Sequence, residues 1–232
     1  MALLILRPNR PRKCSTGKLR ARFFVNAQQE NYGQGFDLKD EIMKYSTMTG
    51  KLKDIQALNT SPLDNPFCVG MSKKHGTICH ECYSNNMINS YRANCRLPWY
   101  RNGLELSESA ITNYPAVKTE LFRINAHGEL LNLNHARNIL NLAKQYPDNV
   151  IGFWTKRHRL VQQAIELDGK PANVSLIKSS LKLNAPDKLP KYFDHVFTVY
   201  DHENNINCGA KDCNTCRECY TGKAIFINEL LK

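Results

Sequence analysis

The chain has 232 residues, 42% of them hydrophobic, and carries a formal charge of +11 at pH 7. That apolar fraction supports a packed core and excludes a globally disordered chain, and the length suits one large domain or two small ones. No run approaches the length of a transmembrane helix, so no membrane partner is expected.

The short apolar run at residues 2–6 precedes its positive charges, the reverse of a signal peptide. The expected setting is therefore a reducing cytoplasm, where clustered thiols mean metal or redox chemistry rather than disulfides. The positive balance suits a nucleic acid or another polyanionic partner.

Residues 1–44 read as a basic arm and a loop-rich lead-in. Arg7, Arg10, Arg12, Lys13, Lys18, Arg20 and Arg22 all precede the first acid, Glu30. Pro8 and Pro11 bar a regular helix or central strand at its start. Such an arm either follows a phosphate backbone or is a solvated terminus, and both readings stay open. Phe23-Phe24-Val25 has strand character, and Cys14 has no nearby partner. Residues 46–51, Ser-Thr-Met-Thr-Gly-Lys, are mostly small and polar but lack the spacing of a phosphate loop, and read as a surface loop.

The cysteines organise the rest. Cys68, Cys79 and Cys82 are spaced C-x10-C-x2-C, and Cys208, Cys213, Cys216 and Cys219 are spaced C-x4-C-x2-C-x2-C. Thiolates two residues apart converge from a single turn on a soft ion or a cluster. Zinc takes four ligands, usually as two close pairs. Cysteines in a C-x2-C-x2-C run are typical of iron–sulfur clusters, and 4Fe-4S centres are the expectation here. Three thiolates on a four-iron cluster leave one iron open for substrate or cofactor. His75 and His80 are alternative zinc partners for Cys79 and Cys82, although His80, inside the C-x2-C pair, is expected to point away. Cys95 is either a fourth ligand or a buried thiol on a helix expected over residues 85–96.

From residue 121 onward strands and helices alternate. Strands are expected at 121–125, 150–154, 173–177, 195–200 and 224–228. Between them, Ala136, Ile139, Leu140 and Ala143 form one helical face, and Leu160, Val161, Ala164 and Ile165 another, closed by Asp168-Gly169. Near-continuous apolar strands alternating with helices predict an α/β fold, a partial (β/α) barrel-like parallel sheet, within a single domain over 45–232. Ligands of such sheets bind at the carboxyl ends of the strands. That rule selects residues 125–129, Thr155-Lys156, Ser179-Ser180 and Asp201-His202. The run Thr155-Lys156-Arg157-His158-Arg159 near Trp154 reads as a phosphate or nucleic-acid contact, with the ring available for stacking, or as a solvated helix start. Asp201-His202-Glu203 reads as a hydrophilic loop more readily than as an acid–base group.

The chain resembles the phage gene product 88-like proteins over residues 45–220. The resemblance rests on the Ser/Thr-Gly-Lys segment at 46–51, on Cys68-Val69-Gly70 leading to Cys82-Tyr83-Ser84, and on Arg123-Ile124-Asn125-Ala126-His127-Gly128-Glu129-Leu130. It continues through Trp154-Thr155-Lys156 and Cys219-Tyr220. Val69 stands where the family has proline, and Glu129 where it has aspartate. The resemblance implies a phage origin and a host bacterial cytoplasm.

The layout is also similar to short radical S-adenosylmethionine (SAM) enzymes, although their cysteine spacing is C-x3-C-x2-C. That similarity implies a cluster on Cys68, Cys79 and Cys82 that chelates SAM, and an auxiliary cluster on the four C-terminal cysteines. It implies Gly128 and Glu129 as cofactor contacts, with Glu129 catalytic; the expected site further takes in Lys156 as a catalytic residue and Ser179 and Tyr83 as cofactor contacts. The expected function is an iron–sulfur enzyme with a nucleic-acid-linked substrate. The alternative is a zinc- or iron–sulfur-stapled protein that binds nucleic acid or a host protein complex.

Overall fold

The computed structural model describes residues 43–203 and 205–231, which belong to one compact unit spanning Ile42–Lys232. The basic arm, Cys14 and the strand expected at 23–25 lie outside the described residues; only Met43 and Lys44 of the arm lie within them.

A single sheet of seven strands carries the fold: β1 (Ser46–Thr47), β2 (Gln56–Leu58), β3 (Leu121–Ile124), β4 (Val150–Thr155), β5 (Val174–Ser179), β6 (His195–Tyr200) and β7 (Phe226–Leu230). They lie side by side in chain order. β1 is antiparallel to β2, and every later pairing is parallel. β1 and β7 are the two ends of an open sheet, so the expected partial α/β barrel is what forms.

Parallel strands laid down in sequence by right-handed crossovers put their connecting helices on one face. Here α3 (Arg96–Glu108), α4 (Leu133–Gln145) and α5 (His158–Asp168) share a core with Phe122, Ile124, Ile151, Phe153 and Leu176. The alternate strand residues, Leu121, Trp154 and Ile177, face the other way and pack with Ile55 and Tyr220. Strands buried on both faces explain the near-continuous apolar runs in the sequence. The second face has no crossover helix of its own. The cysteine-bearing C-terminal segment covers it.

The two expected helical faces are buried. Ala136, Ile139, Leu140 and Ala143 are fully inaccessible, and Asn132 caps α4 by accepting from the His135 N–H at 3.0 Å. α5 ends at Gly169, whose φ of 79° lies in the left-handed region. Strand limits differ from the expected ones by one or two residues.

The helix expected at 85–96 is not continuous. α2 (Tyr83–Ile88) stops, and a 3-10 turn (Ala93–Cys95) leads into α3. Ser90 donates its hydroxyl to Asn86 O at 2.7 Å, a local bond that competes with helix continuation.

α3 itself has no clear apolar stripe. Its buried positions, Trp99, Asn102, Gly103 and Leu106, have helical spacing, but two of the four are not large apolar residues. Asn102 donates to Lys44 O at 2.8 Å and Asn59 O at 2.9 Å, and accepts from Lys44 N at 2.9 Å. Polarity at this position joins the helix to the lead-in and to the end of β2. Pro98 sits in the first turn, where its missing N–H costs nothing. β1 and β2 arise in a stretch expected to be loop; β2, at three residues, is too short to display a period. Among the described residues no helix is long and apolar enough to cross a membrane.

Candidate metal centres

The carboxyl ends of β2, β3 and β4 are tied around the turn His127-Gly128-Glu129. β3 leaves the sheet through Asn125, at φ 57°, whose side chain donates to Trp154 O at 3.0 Å. The His127 N–H donates to Asn59 Oδ1 at 2.9 Å, and His127 O accepts from Thr60 N at 3.2 Å. Gly128 has φ 82°, and a Cβ there would stand 2.2 Å from Thr60 O, so only glycine fits. The His127 ring stacks on Trp99 with centroids 4.6 Å apart, and its Nδ1 lies 2.9 Å from Ser84 Oγ.

Glu129 is buried, and its carboxylate is an internal brace. Oε1 accepts from Leu130 N at 2.8 Å and Thr155 Oγ1 at 2.6 Å, and Oε2 accepts from Lys156 N at 2.6 Å. Of about four acceptor directions on a carboxylate, three are therefore taken. The Glu129 carbonyl accepts from Asn65 Nδ2 at 2.7 Å, and Asn65 Oδ1 caps α1 (Pro66–Ser72) by accepting from Phe67 N at 2.9 Å. The helix that carries Cys68 thus hangs from residue 129.

The loop that carries Cys79 and Cys82 is pinned at two points. Ile78 N donates to Leu181 O at 2.9 Å, beyond β5, and His80 Nδ1 lies 2.8 Å from Ser72 O at the end of α1. The second contact fixes the His80 ring against α1. Tyr83, 61% exposed, donates to Ala126 O at 3.3 Å. Burial pushes the Cys68 thiol up, helped by the charges of Glu129, Cys82 and Cys79 and opposed by Lys156. Burial also raises Cys79, which feels Lys156, Cys82 and Glu129. The three cysteines, Glu129 and Lys156 therefore share one neighbourhood at the strand ends. Lys156 Nζ reaches Ser179 Oγ at 3.3 Å.

The second set is built on the face that carries no crossover helix. Asp212 caps α6 (Cys213–Cys216) by accepting from Asn214 N and Thr215 N, each at 3.0 Å. Arg217, at φ 55°, breaks the chain into α7 (Glu218–Thr221) and is held by Glu120 through an Nη2–Oε2 contact of 2.7 Å. This break brings Cys213, Cys216 and Cys219 around one cavity with Cys208, Lys51 and Tyr220. Ser175 Oγ donates to Cys219 O at 2.9 Å, fixing the segment to β5. Gly152 leaves the room this requires: a Cβ would meet Trp154 Cζ3 at 2.6 Å and Tyr220 Cε1 at 2.8 Å. The Arg123 guanidinium carbon stands 3.0 Å from the Trp154 ring centroid. Burial pushes the Cys219 thiol up to about 12, against the charge of Arg123.

Lys51 belongs to this site. Its ammonium donates to Cys208 Sγ at 3.1 Å, Cys208 O at 2.9 Å and Glu229 Oε1 at 3.1 Å. Residues 46–51 are thus not a surface loop alone. The glycine before Lys51 was the signal in the sequence, but nothing local tied it to a cysteine 157 residues away.

Among the described residues, no three His, Cys, Asp or Glu side chains are arranged to hold a single metal ion. Cys95 joins neither set; it packs beside Met87, Ile88 and Trp99. The basic run at the end of β4 is half-buried, with Arg159 exposed. Arg157 donates to Leu130 O and Leu131 O, both at 2.8 Å, and Trp154 is only 5% exposed, so its ring offers no stacking platform. Asp201 and His202 form an exposed pair at 2.9 Å.

No curated protein and no solved structure matches the chain, and nothing among the comparisons supports the likeness to radical SAM enzymes. The model of the family described as Gene product 88 matches residues 25–227, a span that takes in all seven residues of the two cysteine sets together with Lys51, Gly128 and Glu129. The chain belongs to the Gene product 88 family.

Proposed function

We propose that this phage-type protein is an iron–sulfur protein with two centres of different kind. The observation that carries the reading is the cavity walled by Cys208, Cys213, Cys216 and Cys219. A cluster binds each thiolate to a separate iron, and a C-x2-C-x2-C run supplies such thiolates from adjoining turns.

Cys68, Cys79 and Cys82 would hold the other cluster, at the strand ends where parallel sheets take their ligands. Bound there by three thiolates, a four-iron cluster supplies one-electron chemistry and an open iron for a substrate or a cofactor such as SAM. The surrounding residues divide the remaining work. Glu129 sets the positions of α1 and Lys156, and has one acceptor direction left for a ligand. Lys156, whose ammonium meets Ser179 Oγ at 3.3 Å among the described residues, offers a cation to an anionic group. Exposed Tyr83 would line the approach, and Gly128, packed on Thr60, would offer its backbone. This is an enzyme reading, and the charge of +11 fits a nucleic-acid-linked substrate or a host complex.

The test is anaerobic purification with iron, sulfide and zinc analysis and a visible spectrum. It is run on the wild type and on serine variants of each cysteine set. The expected result is brown protein with roughly four irons and four sulfides per cluster, about half of them lost in each variant. A spectral change on adding SAM is expected only while Cys68, Cys79 and Cys82 are present. Colourless protein with stoichiometric zinc would overturn the reading and leave a metal-stapled binding protein.

A further inference from the structure

The turn between β1 and β2 closes over the C-terminal cysteine segment. A 3-10 turn at Gly50–Leu52 begins with Gly50 at φ 63°, and Lys53 N donates to Gly50 O at 3.0 Å. Met48 N donates to Ile55 O at 2.9 Å and closes the base of the turn. On the far side, Asn214 Nδ2, from α6, donates to Lys53 O at 2.9 Å. Lys51 therefore projects from a rigid turn that is itself fastened to the helix bearing Cys213 and Cys216.

Its ammonium has three donors and makes three contacts. Cys208 O and Glu229 Oε1 fix its position, and the third contact is Cys208 Sγ at 3.1 Å. A backbone carbonyl and a carboxylate would suffice to anchor a structural lysine. The remaining N–H is instead aimed at one wall of the four-cysteine cavity, where Arg123 is the other cation felt by the thiols. Hydrogen bonds to ligand sulfur and nearby positive charge both favour the more negative, reduced state of a thiolate centre. Glu229 acts in the opposite sense on the same spot.

We propose that Lys51 and Glu229 are an opposed pair of outer-sphere residues that set the reduction potential of the four-cysteine centre, Lys51 raising it through Cys208 Sγ and Glu229 lowering it. The proposal rests on the iron–sulfur reading of that cavity. The two residues are positioning residues; neither is a ligand.

The experiment uses full-length protein in which Cys68, Cys79 and Cys82 are serine, so that one centre remains. The midpoint potential is measured by redox titration followed by visible and electron-paramagnetic spectra. Lys51→Met should shift the one-electron equilibrium about tenfold toward the oxidised form, which is 59 mV. Glu229→Gln, near-isosteric, should shift it the other way, and Lys51→Arg should restore most of the wild-type value. A merely structural lysine would change cluster content without this pair of opposite shifts. If Lys51→Met fails to retain its cluster, the sign of the Glu229→Gln shift decides. A loaded centre whose potential ignores the substitutions, or moves the same way in both, overturns the proposal alone. Iron-free parent protein overturns the iron–sulfur reading and this proposal with it.

Discussion

The Thr155 hydroxyl donates to Glu129 Oε1 at 2.6 Å, joining the end of β4 to the turn that follows β3. Together with the Lys156 and Leu130 N–H groups, it makes Glu129 a hub of the fold at the very place where a ligand would sit.

Glu129→Ala should therefore destabilise the protein by at least about 3 kcal/mol, because it strands three buried donors at once. Glu129→Gln keeps the shape but turns one acceptor toward a donor, and should cost about 1–3 kcal/mol. Urea denaturation of both variants checks this. It also shows why alanine at this position is a poor probe of catalysis alone.

Gly128→Ala should be among the most damaging single-methyl additions in the chain. The added carbon meets Thr60 O at 2.2 Å on a backbone at φ 82°, and the expected cost is several kcal/mol or failure to accumulate folded protein. Gly169→Ala is the control. Its φ of 79° also strains any side chain, but nothing lies within 4 Å of the new atom, so its loss should be that of the backbone alone, about 1–3 kcal/mol. Melting temperatures of the two variants give the comparison.

Gly152→Ala should act at a distance from any cysteine. Its Cβ would press Trp154 and Tyr220 apart, displacing the segment that bears Cys219. The expected result is metal lost from the C-terminal set while the set at Cys68, Cys79 and Cys82 keeps its own. Metal analysis in the two serine backgrounds reads this directly.

Stability should fall on acidification before most carboxylates titrate. Burial, with Arg123 and Arg92 nearby, lowers the His127 pKa from 6.5 to about 4, and burial beside Arg157 lowers that of His135 from 6.5 to about 3. Both are neutral in the folded chain and become protonated in the unfolded one below pH 6.5. Their contribution is thus intact above pH 6.5 and is lost as pH falls toward 4, at about 1.4 kcal/mol per pH unit for each histidine. Denaturation midpoints between pH 7 and 4.5 should show this slope. His135→Gln should remove roughly half of it; an unchanged slope would refute the assignment.

The parts of the fold legible in the sequence are those in which burial follows a simple period. Ala136, Ile139, Leu140 and Ala143 face one core, so α4 is readable from its own residues, and the same holds for α5 and for the strands from β3 to β6. α3 was illegible because Asn102 and Gly103 fill its buried face for reasons that lie in Lys44, Asn59 and Leu131. β2 was illegible because Gln56, Ala57 and Leu58 become a strand only by pairing with β3.

The same division runs through the candidate site. By itself the sequence determined that seven cysteines fall into two sets, that the chain between them is an α/β scaffold, and that residues 127–129 form the turn after a strand. Spacing along a chain carries that much, because residues two or three apart share a turn whatever surrounds them. Only the tertiary structure decided which face each set occupies, that Lys51 reaches Cys208, and that Glu129 spends its carboxylate on its neighbours. Those relations join residues separated by 26 to 157 positions. They are set by the hand of the crossovers and by which sheet face is left without crossover helices, and no local pattern in the sequence records either.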